Sequence, residues 1–575
     1  MSTSRRLAAS SGALLAFAVV SGTVAAQSTV RASVDAAGAE GSDWSGVSSP
    51  GGAPALSADR RWVAFESLAQ NLVPGDKNGW IDIFVKDLTT GAIVRVSVDS
   101  AGVEGNSGGT YPSLSGDGRF VAFLSMSDNL VAGDTNAKND VFLHDRDPDG
   151  NGIFDEGNGV TTRVSVRSNG AQANDASNFP MVSADGSTVV FSSYASNLVA
   201  GDTNGASDVF AYDRLTAKTR RVSVDSAGVQ ANDASYYAAV SADGQRVAFQ
   251  SHATNLVAGD SNGYADIFVR DRSAGTTNRV SVDSSGAQAN SSSSDPGISA
   301  DGNVVSFTSN ATNLVAGDTN RVSDVFVHDR ASGATERVSV DSAGTEADGV
   351  SVSCLLAPSA DGRFVAFYSS AYNLVSGDTN LVWDVFVRDR KSATTTCVSV
   401  DSSGSVGDGA SERTGLSADG ELVAFASIAT NLVANDTNAQ SDVFVRNRGV
   451  AIASGYGAGW PGTLGVPTLV ASGDPVLGSN LTVTVSNSLG ANTPGLVLVG
   501  LAEANVLTQK GGTLLVAPLL WIPLLIHAAG EPLNGTLPNS PALVGVEVDL
   551  QALELDAGAS KGMSFTAGLK LLLGS

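Results

Sequence analysis

Residues 50–448 consist of short apolar runs separated by turns that are rich in Gly, Asp, Asn and Ser. The runs contain mainly Val, Phe and Ala, and no long stretch of this region has a helical period. Val and Phe favour pleated strands, whereas Asp-Gly and Asn favour tight turns. The pattern therefore predicts an all-β fold built from short strands.

One unit recurs seven times in this region. Each copy contains a short run, an S-A-D-G-type turn, a second run, an N-L-V-x-G-D-x-N loop, a third run D-V-F-V-x-D, a Gly-containing turn and an R-V-S-V-D segment. Four strands per unit, repeated seven times, predict a seven-bladed β-propeller. The turn aspartates, at intervals of 58, 68, 58, 58, 60 and 58 residues, are Asp59, Asp117, Asp185, Asp243, Asp301, Asp361 and Asp419.

The two ends of the repeat region predict how the ring closes. The seventh unit stops at Arg448 without an R-V-S-V-D segment, and a similar segment lies at residues 30–35 near the N-terminus. We therefore expect the strand at 30–35 to complete the last blade, which leaves no unpaired sheet edge. A solenoid would need capping units instead, and the sequence shows none.

Two Phe positions recur in every unit, one in the second run and one in the third. Together they account for 14 of the 20 Phe and have small Ala and Ser neighbours. We interpret them as packing between blades rather than as a ligand-stacking ladder. They are Phe65, Phe84, Phe123, Phe142, Phe191, Phe210, Phe249, Phe268, Phe307, Phe326, Phe367, Phe386, Phe425 and Phe444.

The repeated pattern S-A-D-G-R-x-V-A-F-x-S, followed by D-V-F-V-x-D, resembles the repeats of TolB-type β-propellers, which are relatives of WD-repeat propellers. The resemblance covers roughly residues 30–448 and implies the fold. Its functional implications are broad, because such propellers serve as periplasmic adaptors, partner domains of peptidases and carbohydrate-processing scaffolds. Here the extra domain follows the propeller rather than preceding it, so an adaptor function does not follow from the resemblance.

The first 26 residues have the features of an export signal. Arg5 and Arg6 precede an apolar run at 7–20, and small residues lead to Ala26. We expect cleavage after Ala26 and a secreted, periplasmic or cell-surface location. The alternative, a membrane anchor, is disfavoured because the run is short for the roughly 20 residues of a membrane span. The two arginines also resemble a weak twin-arginine signal, so the export route stays open.

The chain has two cysteines, Cys354 and Cys397. An oxidising compartment permits them to pair, but pairing requires Cα atoms within about 7 Å of each other. The sequence leaves two alternatives, a disulfide and two partly buried thiols.

The composition changes after Arg448, since no Arg and only ten Asp, Glu and Lys follow it. The Gly-rich segment 449–460 is predicted as a linker, and the apolar runs of 461–575 predict a C-terminal β-sandwich. Pro518 and Pro523 interrupt the most apolar run, which favours buried strands over a membrane span. This part resembles C-terminal modules of large secreted bacterial proteins, whose role is generally unassigned.

The chain carries 58 acidic and 34 basic residues, and its formal net charge is −24. This field repels phosphate backbones and anionic membranes, so nucleic acid is disfavoured as a partner. Five repeated positions hold 33 of the acids, mostly in turns. In the G-D-x-N loops these acids fit two roles, side-chain capping of turns and Ca²⁺ binding.

An insertion of ten residues in the second unit gives a sharper candidate for Ca²⁺. It expands the turn between the third and fourth strands to D-R-D-P-D-G-N-G-I-F-D-E. Alternating oxygens and a Gly turn are typical of Ca²⁺ loops, although neither possible start of the loop matches an EF-hand fully. The candidate metal ligands are Asp145, Asp147, Asp149, Asn151, Asp155 and Glu156.

The loops between consecutive units vary most, and in a propeller they share a face with the loops between the second and third strands. Non-repeated aromatic residues on this polar face indicate a recognition surface for carbohydrate or protein, and loop drift is the alternative interpretation. Asp295 occupies one of the same variable positions. The candidate binding residues are Trp44, Trp80, Tyr111, Phe179, Tyr236, Tyr237, Tyr264 and Trp383.

The sequence contains no G-x-S-x-G elbow, H-E-x-x-H motif or P-loop, and neither Cys has a His nearby along the chain. No catalytic residue is therefore predicted. We expect a secreted binding or scaffold protein that recognises a protein or a cell-surface polysaccharide, with Ca²⁺ as its candidate cofactor. The alternative is a calcium-supported glycan hydrolase or lyase, which would require a cluster of non-repeated carboxylates at the central channel.

Overall fold

A computed structural model describes residues 27–46, 52–540 and 543–574. The export signal predicted at 1–26 lies outside these residues. The chain divides into two compact units, one at Ser28–Arg448 and the other containing Gly449–Ser575. No helix in the part of the chain that the structure describes is long and apolar enough to cross a membrane.

The first unit contains seven antiparallel sheets of four strands each, which confirms the predicted seven-bladed propeller. An N-terminal strand, β1, spans Ser28–Arg31. Blades one to three contain β2 Ala55–Leu56, β3 Trp62–Ser67, β4 Asp82–Asp87, β5 Ile93–Arg95, β6 Gly109–Leu114, β7 Phe120–Ser125, β8 Asp140–Asp145, β9 Val160–Arg163, β10 Ser177–Val182, β11 Thr188–Ser193, β12 Asp208–Asp213 and β13 Lys218–Arg221. Blades four to seven contain β14 Ser235–Val240, β15 Arg246–Ser251, β16 Asp266–Asp271, β17 Thr276–Arg279, β18 Ser293–Ile298, β19 Val304–Ser309, β20 Asp324–Asp329, β21 Ala334–Arg337, β22 Ser351–Pro358, β23 Phe364–Ser369, β24 Asp384–Asp389, β25 Thr394–Cys397, β26 Ser411–Leu416, β27 Leu422–Ser427 and β28 Asp442–Asn447.

The N-terminal strand completes the seventh blade, as the sequence predicts. Strand β1 pairs with β28 in antiparallel register, with Val30 opposite Val445. The strand spans 28–31 rather than the predicted 30–35, because the chain turns away after residue 32 to follow the loop that every blade uses at this point. The two ends of the propeller are thus hydrogen-bonded into one ring.

The repeated Phe residues form the blade cores. In each blade the Phe of the second strand lies directly opposite the Phe of the third, as Phe65 does Phe84. The seven ring pairs have centroid distances of 5.7–6.0 Å. All 14 rings are fully buried. Because each ring buries roughly 150–250 Å², these pairs supply much of the packing within and between blades.

The fourth strand of each blade lies earlier than predicted. In blade three it spans Lys218–Arg221, so that V-S-V-D follows the strand instead of forming it. The reason is the serine of this motif: Ser223 Oγ donates to Asp208 Oδ1 at 2.5 Å and accepts from the Val209 N–H. The side chain therefore replaces a ladder hydrogen bond, and the backbone leaves the sheet.

The second unit contains a six-stranded and a three-stranded sheet. One core of buried aliphatic residues includes Leu481 and Val483 from the smaller sheet and Val548 and Leu571 from the larger. The strands are β29 Ile452–Tyr456, β30 Leu469–Ala471, β31 Asn480–Val485, β32 Thr493–Leu507, β33 Thr513–Ile526, β34 Glu531–Thr536, β35 Glu547–Leu555, β36 Met563–Phe565 and β37 Gly568–Leu572. Part of the segment predicted as a linker, 449–460, is therefore strand β29, which pairs with β37.

Both cysteines are free. Cys354 lies in β22, the first strand of blade six, and Cys397 ends β25, the fourth strand of the same sheet. Neighbouring strands lie about 4.8 Å apart, so two intervening strands hold the thiols beyond disulfide reach. Of the two alternatives left by the sequence, the structure has the free thiols.

Candidate functional site

The first strands of the blades surround the central channel, and five of them share an unusual backbone conformation. The third residue of each of these strands has a positive φ of 48–60°, and the strand register shifts at this point. For residues other than Gly this left-handed conformation costs roughly 1–2 kcal/mol, and such strain is concentrated at functional sites. The five residues are Tyr111, Phe179, Tyr237, Asp295 and Arg413.

All five residues line one cavity of about 240 Å³ at the end of the channel. We call this cavity the channel mouth. Ala53, Tyr368 and the blade-six segment 352–356 complete its wall. A bulge that turns the same residue of five strands towards one cavity therefore creates a site from positions that are far apart in the sequence.

One side of the channel mouth is an arc of aromatic rings. Phe179 contacts Tyr111 edge-on, with centroids 5.1 Å apart, and Tyr237 at 4.5 Å. Tyr368 packs against Trp383 at 5.3 Å. Burial raises the pKa of Tyr111 to about 12, so its hydroxyl stays protonated.

The other side of the channel mouth is charged. Asp295 accepts a hydrogen bond of 2.7 Å from Ser294 Oγ, and burial raises the pKa of its carboxyl. Arg413 has Nε 3.9 Å from Glu412 Oε2, and this Nε is buried without a hydrogen-bond partner. A buried guanidinium N–H without an acceptor carries a desolvation cost of about 1–3 kcal/mol.

The floor of the channel mouth comes from an irregularity in blade six. Strand β22 contains eight residues instead of six, and its register shifts between Ser353 and Pro358. Leu355 and Leu356 pack against the aliphatic core between blades three and four, and Leu356 also packs against the core between blades one and two. These two side chains fill the central channel below the cavity, so the mouth is a closed pocket rather than the entrance to a tunnel.

The structure brings together only part of the predicted recognition surface. Tyr111, Phe179 and Tyr237 line the channel mouth, and Trp383 contacts it through Tyr368. The remaining four lie outside its wall: Tyr236 packs against Tyr237, the ring of Trp44 is half-buried, and the exposed Trp80 and Tyr264 occupy the G-D-x-N loops.

Sequence reasoning missed Tyr368, Arg413 and the blade-six floor. The interval of 60 residues between Asp301 and Asp361 was the available signal for the floor, because it marks two extra residues in one blade. Arg413 occupies the repeat position held by Tyr111, Phe179, Tyr237 and Asp295, but it is neither aromatic nor acidic.

Acidic clusters recur outside the channel mouth, one in each blade. In blade seven Glu40, Asp436 and Asp442 lie close enough together for their oxygens to hold one cation. Arg31 already approaches the same cluster, at 2.8 Å from Glu40 and 3.2 Å from Asp442. A guanidinium therefore supplies positive charge at this possible metal-binding triad.

The Asn of each G-D-x-N loop caps a turn. In blade three Asn204 Nδ2 donates to Asp208 Oδ2 at 3.1 Å and to the Ala231 carbonyl at 3.0 Å, while its Oδ1 accepts from the Ala206 N–H. The same bonds recur in the equivalent loops, for example at Asn320. These contacts match the capping role that the sequence analysis weighed against Ca²⁺ binding.

The blade-two insertion uses two of its acids in ion pairs. Asp145 pairs with Arg119, and Asp155 pairs at 2.5 Å with Arg146, which is fully buried. The Arg146 guanidinium also lies 4.0 Å from the ring of Trp62. These contacts anchor the loop to the body of the blade.

The other candidate ligands of the insertion form a local network. Asp147 accepts from the N–H groups of Asn151 and Gly152, each at 3.0 Å. Asn151 Nδ2 donates to Asp149 at 3.2 Å and to Glu156 at 2.7 Å. Asp149 and Glu156 are exposed and thus lie on the solvent side of this loop.

No protein-family model matches the chain, and no curated protein matches it. Among solved structures, a protein provisionally named TolB from Agrobacterium tumefaciens is similar, with 17% identity, a TM-score of 0.33 and coverage of 55% of this chain and 87% of that one. The GH74 xyloglucanase of Xanthomonas campestris is 8% identical, with a TM-score of 0.36 and coverage of 80% and 59%.

Proposed function

We propose that this protein is an exported binding protein whose propeller recognises a polysaccharide at the channel mouth. The observation that carries this proposal is the unequal composition of five equivalent positions. They share one strained backbone conformation but hold Tyr, Phe, Tyr, Asp and Arg, whereas the two positions that form the ring pairs of the blade cores hold Phe in all seven blades. A pocket that breaks the repeat in this way is suited to one asymmetric ligand.

The side chains indicate the chemistry of the ligand. Tyr111, Phe179 and Tyr237 offer ring faces and edges of the kind that pack against the apolar faces of sugar rings. Arg413 offers donors in the geometry that binds a carboxylate in two parallel hydrogen bonds. We therefore propose a polysaccharide with carboxylate groups, such as one that contains uronic acid units, which Arg413 binds at short range although the net charge of −24 repels polyanions at long range.

Other features support export and the binding of Ca²⁺. The segment 1–26 has the pattern of a cleaved signal. We also propose that Ca²⁺ stabilises the protein at the exposed side of the blade-two insertion, through Asp149 and Glu156, whose oxygens suit a hard cation.

A second candidate function is a glycan hydrolase or lyase at the same pocket. Asp295 and Glu412 are non-repeated carboxylates beside the channel, and burial raises the pKa of Asp295, as in a general acid. If the pocket is catalytic, the purified protein will release reducing ends or unsaturated products from the polysaccharide that it binds.

The test is binding of the mature protein to purified cell-wall polysaccharides, measured by titration calorimetry, before and after chemical reduction of their carboxyl groups. We expect binding to the acidic polysaccharide, a loss of at least tenfold on reduction, and a similar loss in Arg413→Met. The control is Tyr264→Ala, which removes an exposed ring outside the cavity wall. Equal affinity of Arg413→Met and wild type would refute the proposal.

A further inference from the structure

Six blades contain the same charge cluster. An Asp from the G-D-x-N loop and an Asp that begins the third strand both face the Arg at the end of the fourth strand, at nitrogen–oxygen distances of 3.0–3.9 Å. In blade five Arg337 lies 3.6 Å from Asp318 and 3.2 Å from Asp324. In each of these clusters one guanidinium pairs with two buried carboxylates and offsets one of their two negative charges.

Blade six breaks this pattern. Cys397 stands where the other blades have Arg, and Val406 stands where they have Glu or Gln. The two acids are retained: Asp378 in the loop is 9% exposed, and Asp384 at the start of β24 is fully buried. No ion pair to either carboxylate is present among the residues that the structure describes.

One atom of this cluster faces the place of the missing cation. Asp378 Oδ1 is buried and has no hydrogen-bond partner in the described structure. The same atom contacts the guanidinium in four other blades, for example Asp260 Oδ1 at 3.0 Å from Arg279. Its counterparts are thus paired with a cation, whereas Asp378 Oδ1 points into the same position without one.

The neighbours of the pair do not supply the missing charge. Asp384 accepts from Ser399 Oγ at 2.6 Å and from Asn380 Nδ2 at 2.7 Å, both of which are neutral donors. Asp348 adds a further negative charge near Asp378. Cys397 Sγ contacts Ser399 Oγ at 3.3 Å, and its side chain ends well short of the length of an arginine. Unpaired buried carboxylates are strongly unfavourable, so a mobile cation would stabilise this cluster.

We propose that blade six binds a divalent metal ion between Asp378 and Asp384, in place of the guanidinium of the other blades. Two carboxylates suit a hard ion such as Ca²⁺. This site is separate from the channel mouth and does not depend on polysaccharide binding.

The experiment uses the mature full chain after treatment with chelator. Ca²⁺ is titrated by calorimetry, and the number of bound ions is compared among variants. Asp378→Asn removes the proposed ligand, and Cys397→Arg restores the cation of the repeat. The matched control is Asp318→Asn, the same change in a blade that keeps its Arg.

We expect Asp378→Asn and Cys397→Arg each to bind one ion fewer than wild type, or to bind it at least tenfold more weakly, and Asp318→Asn to match wild type. The proposal is overturned if Ca²⁺ does not bind, or if Asp378→Asn binds as many ions as wild type with equal affinity. Asp378→Asn keeps the size of the side chain, so the test stands even if Cys397→Arg does not fold.

Discussion

Phe179 and Tyr237 occupy the same position of neighbouring blades, and their rings lie 4.5 Å apart at the channel mouth. Both residues have left-handed backbones, with φ of 55° and 48°. The contact therefore depends on two strained positions, each of which turns a side chain out of the strand alternation and into the pocket. The strained backbone lowers the free energy of unfolding, and the contact between the two rings offsets only part of this loss.

This strain predicts an unusual order of stability at residue 237. Tyr237→Gly should be more stable than Tyr237→Ala by about 1 kcal/mol, because Gly adopts a positive φ without steric cost. At Tyr236, whose φ is not positive, Gly should be the less stable replacement by about 0.5–1 kcal/mol. Denaturant unfolding of the four variants measures both differences. If the Gly and Ala variants had the same order of stability at both positions, the result would argue against the bulge at residue 237.

The channel floor predicts a second effect on stability. Leu356→Ala should lower the free energy of unfolding by about 2 kcal/mol, because the side chain packs against two blade cores. Leu215→Ala, at a site that is 74% exposed, should change it by less than about 0.5 kcal/mol. Thermal and denaturant unfolding give the comparison. An equal, small effect of both changes would mean that Leu356 does not fill the channel.

The ring was predictable because one strand pattern is repeated seven times with the same turns and the same Phe pairs. The bounds of the fourth strands were not predictable. Val-Ser-Val alternation favours a strand, and only the structure shows that Ser223 bonds to Asp208 and ends it. A hydrogen bond from a side chain to a neighbouring strand does not change the local strand propensity of the sequence, so the sequence does not reveal it.

The channel mouth was predictable only in its aromatic part. Tyr111, Phe179 and Tyr237 stand out in the sequence because they are not repeated. Arg413 joins them through the bulge of its first strand, and Tyr368, in the second strand of blade six, joins them beside the irregular first strand β22. Such one-residue shifts move a side chain from one face of a sheet to the other.

The buried repeat aspartates predict a rise in stability on mild acidification. Burial raises the pKa of Asp208 to about 6, above its ordinary value of 3.8. Such a group contributes stability that is fully present below pH 3.8 and is lost as the pH rises through 6. Unfolding free energies at pH 7 and pH 5 should therefore differ less in Asp208→Asn than in wild type.

The control for the pH effect is an aspartate with the opposite shift. Hydrogen bonds from Ser285 and from the Ala287 backbone lower the pKa of Asp283. Its contribution is lost as the pH falls, so Asp283→Asn should not reduce the gain in stability between pH 7 and pH 5. If the free energy of unfolding of Asp208→Asn rises as much as that of wild type between pH 7 and pH 5, Asp208 does not titrate in this range.

Ring closure predicts that two equivalent arginines differ when they are replaced. Arg31 and Arg337 have side chains that are 6% and 9% exposed, and each pairs with a buried Asp. Arg31→Met and Arg337→Met should both lower the free energy of unfolding, by about 3–5 kcal/mol, because each leaves a buried carboxylate unpaired.

Arg31 also belongs to β1, which pairs with β28 and joins the two ends of the propeller. Limited proteolysis with mass spectrometry should therefore detect early cleavage near β1 in Arg31→Met and no early cleavage near β21 in Arg337→Met. The reason is that β1 is connected to the rest of the propeller at one end only, whereas β21 is connected to other strands at both ends. Identical cleavage patterns in the two variants would show that β1 is held no less firmly than an internal fourth strand.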